Sequence, residues 1–199
     1  MFRFLFAFIA AMILCLPHSF AFSWQEDVAA ETENMVHASG IESGMSYAEF
    51  KRAWQNRPGW TTEAWDTPAK YQQAGAAVYT ATFQKTDFED STMRERMNVT
   101  YTKEHGVMFS ALTFVTQDRK VADEICRYAE KRIKAIDPEM EREEYSSKSD
   151  DLEQKTVTWQ VYDFETGEPS RYFSLEKTYS HMVKAYAITL IKSQHGNEK

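Results

Sequence analysis

The residues able to do chemistry in this 199-residue chain are few and scattered. Beyond residues 1–21 stand His37, His105, His181 and His195. They fall at a helix end, in a turn, at a strand start and in the tail. None has the His-Glu-x-x-His spacing or a similar ligand spacing, so they read as surface histidines and neither a metal nor a cofactor is expected. Cys126 lies beside the apolar stripe of the best helical stretch. A nucleophilic cysteine needs an adjacent base and activating surroundings, whereas a buried one behaves as a small hydrophobe, and the second reading fits here. Asp87, Glu89 and Asp90 lack the alternation, glycine and terminal glutamate of a calcium loop, so they read as a solvated acidic turn, as do Asp150, Asp151 and Glu153. Asn98-Val99-Thr100 has the form of a glycosylation sequon but sits within a strand pattern. No catalytic residue is assigned and no enzyme is expected. The alternative is a secreted carboxylate-based hydrolase whose site is assembled from distant residues.

Aromatic residues make up 14% of the chain. Trp54, Trp60 and Trp65 cluster, with Tyr71 nearby. Trp60 and Trp65 fall in an aperiodic segment after Pro58-Gly59, where loop aromatics can anchor a partner, so these two are the candidate binding residues. The competing reading has them cover a sheet edge or complete a satellite core.

The elements that position these residues follow from periodicity. Trp24 to Ala38 reads as a short helix. Ser46-Tyr47-Ala48-Glu49 is a capping box, and Tyr47, Phe50 and Trp54 follow at helical spacing. Thr61 to Gly75 has no period and reads as a loop. Ala77–Lys85, Arg96–Lys103 and Val107–Thr116 alternate, with Glu104-His105-Gly106 turning the last pair into a hairpin. Asp118 to Ile136 is the clearest helix: Asp118 caps it, Val121, Ile125, Ala129 and Ile133 share its apolar stripe, and Pro138 ends it. Glu139 to Gln154 reads as an exposed connection. Three strands close the chain at Thr156–Phe164, Ser170–Thr178 and Met182–Lys192. The expected fold is α+β, in the order helix, helix, three strands, helix, three strands. One antiparallel sheet of about six strands would carry helices packed on one face and show threonines on the other. The second half, 117–192, reads as a degenerate copy of 41–116.

The N-terminus sets the address. Arg3, the apolar run Phe4–Leu16, Pro17 and the small residues Ser19 and Ala21 have the layout of a signal peptide cleaved after residue 21. The run is shorter than the about 20 residues of a membrane span. Large Leu14 before Cys15 departs from a lipobox. The expected organisation is a signal at 1–21, one domain at 22–192 and a disordered tail at 193–199, in a periplasmic or secreted protein. The chain carries a net charge of −7, which disfavours nucleic acid as a partner. Only Cys126 survives cleavage, so no internal disulfide forms and burial must supply stability.

Ile41 to Phe50, with its Gly44-Met45-Ser46-x-x-Glu49-Phe50 core, resembles the opening of BamE/SmpA-like and beta-lactamase-inhibitor-protein-like exported domains. The chain departs from that pattern after the helix, where Gln55-Asn56-Arg57-Pro58-Gly59 replaces Leu-Gly-x-Pro, and it lacks the lipobox of the BamE branch. The resemblance implies a helical opening followed by antiparallel sheet, in some members twice in tandem. It also implies a non-enzymatic protein of the bacterial envelope or periplasm that binds a protein or an envelope component. It assigns no binding residue.

Overall fold

A computed structural model describes residues 41, 44–73, 75–85, 94–136, 138–162 and 169–194. The chain runs as α1 (Tyr47–Trp54), β1 (Trp60–Gln73), β2 (Ala76–Lys85), β3 (Arg94–Thr102), β4 (Gly106–Thr116), α2 (Arg119–Ile136), β5 (Glu141–Lys148), β6 (Leu152–Tyr162), β7 (Pro169–Ser180) and β8 (Ala185–Gln194). The strands form one sheet in the order β1-β2-β3-β4-β8-β7-β6-β5, antiparallel at every pairing. A helix followed by a four-strand meander occurs twice, and the last strands of the two meanders, β4 and β8, pair in the centre.

The expected sheet of about six strands is therefore corrected to eight, and strand dominates the described chain. The two added strands are the edges. β1 replaces the expected loop at Thr61–Gly75. Its pairing with β2 shifts register between Thr62 and Ala64, between Ala64 and Thr67, and between Pro68 and Gln72, so no period of two survives in the sequence. Pro68 is tolerated because β1 is an edge. β5 replaces the expected exposed connection. All eight of its residues are exposed, so burial imposes no apolar alternation, and its charges suit an unpaired edge. Helix packing over one face is also corrected to local contacts: α1 meets its neighbours through aromatic rings, while α2 touches β4, β7 and β8. The helix expected at Trp24–Ala38, the signal segment 1–21, the acidic turn at 87–90 and most of the tail lie outside the described residues. Met182, expected to open the last strand, lies in the turn before it and is 78% exposed.

Several local expectations hold. The Ser46 hydroxyl accepts from the Glu49 amide while Glu49 reaches back to the Ser46 amide, which completes the capping box. Asp118 Oδ1 accepts from the Lys120 amide at 2.7 Å and so caps α2. Along the strands one residue set is buried: Phe83, Met97, Val99, Leu112, Phe114, Leu175, Ile188 and Leu190. Leu112 and Leu190 face each other across the central pair; Met97 flanks the first and Leu175 the second.

Gly106 locks the entry of α1 onto β4. The Gly44 amide donates to the Val107 carbonyl and the Val107 amide donates to the Met45 carbonyl, at 2.7 and 2.8 Å. Gly106 has φ +80°, and a Cβ there would lie 2.1 Å from the Met45 oxygen. Gly106→Ala is expected to cost at least about 2 kcal/mol, from a left-handed backbone combined with a backbone clash. Urea unfolding measures it; a loss below about 0.5 kcal/mol, the range of ordinary surface changes, would show that the Gly44–Val107 clasp gives way freely.

Candidate functional site

Three regions hold the polar and aromatic groups able to meet a ligand. The first lies under α1. Its apolar side presents Phe50 and Trp54, both fully buried. Phe50 stacks on Trp65 with centroids 5.0 Å apart and the planes 11° from parallel, and it also contacts Phe83 and Tyr101. Trp54 meets Trp60 edge-on at 5.3 Å and Phe83 at 5.0 Å. The candidate binding residues Trp60 and Trp65 are thus placed on strand β1, half-buried, Trp65 stacked on Phe50 and Trp60 in edge contact with Trp54 of α1. The Trp65 indole donates to the Tyr47 hydroxyl at 3.2 Å.

A polar knot sits beside these rings. Asp66 adopts φ +51° within the irregular stretch of β1. Its Oδ1 accepts from the Tyr101 hydroxyl at 2.7 Å, both its oxygens lie 3.2 Å from the Tyr47 hydroxyl, and Lys103 Nζ pairs with Oδ2 at 2.8 Å. The Asp66 amide donates back to the Tyr101 oxygen at 3.1 Å. The Lys103 ammonium lies 4.6 Å from the Tyr79 ring centroid and 5.6 Å from that of Tyr47. Partial burial alone would raise the Asp66 pKa, but hydrogen bonds from Lys103, Tyr101 and Tyr47 outweigh it and hold the carboxyl below its ordinary value. Burial first, and the Asp66 carboxylate second, push the Tyr101 phenol upward. A carboxylate with both oxygens engaged and a lowered pKa is a weak base, and a phenol with a raised pKa is a weak acid. The knot therefore ties β1 and β3 to α1. Nothing in the sequence marks it, because Asp66 on β1 lies 35 residues from Tyr101 on β3, and Lys103 stands just after that strand.

The remaining reactive residues do not converge. His105 lies in the β3–β4 turn, its amide donating to Thr102 Oγ1 at 2.7 Å. His181 lies in the β7–β8 turn at the other end of the sheet, 3.5 Å from Glu153 and edge-on to Tyr179. His37 and His195 lie outside the described residues. Glu153 is held by Lys148 at 2.5 Å. Cys126 is half-buried on α2, and burial pushes its thiol up to about 11, which leaves little thiolate at neutral pH. Among the described residues no group of three His, Cys, Asp or Glu side chains is placed to hold a metal, and no helix is long and apolar enough to cross a membrane.

The second region is the sheet face that carries the threonines. On the central strands this set is Phe109, Ala111, Thr113 and Val115 opposite Ser193, Ile191, Thr189 and Ala187, and all eight are half-exposed. The Thr113 and Thr189 hydroxyls meet at 3.0 Å. Short polar residues continue the surface outward: Asn98 and Thr82, whose side chains bond at 3.0 Å, on one side, and Thr178, Thr156 and Thr158 on the other. Charges flank it: Arg94 and Arg96 lie opposite Val115 and Thr113 on one side, and Glu176 lies opposite Thr189 on the other. Eight strands about 4.8 Å apart make this face about 34 Å across. The third region is a groove beside α2, taken up below. Set beside known proteins, the chain matches no family model, no curated protein and no solved structure.

Proposed function

We propose that this chain is an exported, non-catalytic protein of the bacterial envelope or periplasm, and that it binds a protein partner on the threonine-bearing face of its sheet. The observation carrying this reading is the central stripe of that face. Phe109, Val115 and Ile191 leave apolar surface half-exposed beside the short side chains of Ala111, Thr113, Ala187, Thr189 and Ser193, which have little conformational entropy to lose on binding, while Arg94, Arg96 and Glu176 flank the stripe as a polar rim. The breadth of the face suits a standard interface of about 800 Å² per partner. The signal layout at residues 1–21 supports export, and the resemblance at Ile41–Phe50 supports a binding role. Trp65 is already stacked on Phe50 and Trp60 is in edge contact with Trp54, so the contact is assigned to the sheet face instead.

The test is capture of partners by the mature chain from the envelope fraction of its own organism, wild type beside the double variant Thr113→Glu/Ile191→Glu. Two carboxylates placed in a desolvated contact are expected to cut recovery of a specific partner by more than about 30-fold, a hot-spot magnitude of about 2 kcal/mol. Both sites are half-exposed, so melting should stay near wild type. Unchanged capture by a normally melting variant would place the partner elsewhere.

A further inference from the structure

The groove beside α2 is a concave region whose charge opposes that of the whole chain. It holds about 550 Å³ between the helix and strands β6 and β7, within the size range of ligand sites. Its floor is apolar: Cys126, Val157 and Leu175. Its rim carries Arg127, Lys131, Lys134, Lys155 and Lys177 against only two acids, Asp123 and Glu130, in a chain of net charge −7. Asp123 is already engaged by Lys177 and by Arg119 at 3.7 Å. Lys131 and Lys134 are exposed on the last turns of α2 and make no ion pair among the described residues. A second hollow of about 510 Å³ shares Lys155 and Lys177 with the first and continues toward Arg119, bounded by Ser146–Lys148 of the edge strand and by Tyr179 and Tyr186. Together the two make a trough along the helix. From Arg119 to Lys134 it spans about 22 Å at about 1.5 Å per helical residue, the length of roughly seven extended residues at about 3.3 Å each.

We propose that this trough binds an acidic, extended peptide segment of a partner protein, with an apolar side chain seated on Cys126, Val157 and Leu175 and carboxylates paired to Lys131 and Lys134. The lining selects this occupant. A long acyl chain needs a continuous apolar wall, and Lys155 and Lys177 break the one present. A simple polyanion needs an unbroken row of cations and no apolar seat, and here Asp123 and Glu130 interrupt the row. A peptide with an apolar anchor between acidic residues answers both patterns. The site is separate from the threonine-bearing face and stands or falls apart from it.

The probe is a fluorescent synthetic peptide of eight residues, glutamates flanking a central leucine, titrated against the full chain. Its controls are the same peptide with glutamine for glutamate and an all-glutamate peptide of equal length. The acidic leucine peptide should bind at least about tenfold more tightly than either control and should weaken as salt rises. Binding should also slow iodoacetamide labelling at Cys126, read on the peptide carrying that residue by mass spectrometry. Lys131→Glu/Lys134→Glu, both exposed and so expected to melt as wild type does, should lose about tenfold or more in affinity and lose the protection. Equal binding of the all-glutamate peptide, unaltered labelling of Cys126, or undiminished affinity in the charge-reversed variant would each overturn the assignment.

Discussion

Ile133→Asp is expected to cost about 4 kcal/mol or more of unfolding free energy, the largest effect of any single substitution considered. Ile133 has no exposed surface, and with Ala122, Ile125 and Ala129 it forms the buried stripe of α2. That helix touches β4, β7 and β8, so its stripe bears on the centre of the sheet, where Leu112, Leu190 and Leu175 are also buried. A carboxylate at that position loses the transfer free energy of the isoleucine and either stays charged without a partner or takes up a proton at a further cost. Ile125→Asp should behave alike, at 2% exposure. Urea titration followed by circular dichroism measures both. A loss below about 1 kcal/mol, closer to surface substitutions, would mean that the stripe meets solvent.

Asp66→Ala is expected to cost about 3 kcal/mol. The substitution strips the acceptor from the fully buried Tyr101 and from Tyr47, removes the partner of Lys103, and leaves an alanine at positive φ. Asp66→Asn keeps the shape and should cost less, because one amide oxygen still accepts while its NH2 group faces other donors. The pH dependence has a definite sign. The carboxyl is held below its ordinary value in the folded chain, so its contribution is fully present above the unfolded value of about 3.9 and is lost as pH falls from there through the folded value. Wild type and Asp66→Asn should therefore converge in stability under acid, and a gap that stayed constant across that window would show that the charge of Asp66 contributes nothing to the knot.

Burial decides what could be read from the residues alone. The middle strands β2, β3 and β4 alternate because one face of each is sealed from water, and the stripe of α2 was legible for the same reason. The capping box of α1, the Asp118 cap of α2 and the Glu104–Gly106 turn were legible because they are local. The edges were not. β1 hides its strand character in bulges, a proline and an aspartate at positive φ, while β5 is solvated on every residue and carries no apolar period. The sites were hidden for a different reason. Asp66, Tyr101 and Lys103 meet only through the pairing of β1, β2 and β3, and the basic trough draws its cations from α2, β6 and β7, so neither forms a run in the chain. The tryptophans were visible as a cluster, but their placement under Phe50 and Trp54 depends on β1 being a strand.

The proposed function seats a protein partner on the threonine-bearing face. Its most direct measurement is site-specific photo-crosslinking in the exporting cell, with a photoreactive residue placed in turn at Thr113, at Thr189 and at the exposed turn residue Asn56. A partner on this face should give one discrete protein adduct from Thr113 and from Thr189, of the same identity, and none from Asn56. No adduct at either sheet position, or the same adducts at Asn56 as on the face, would contradict it.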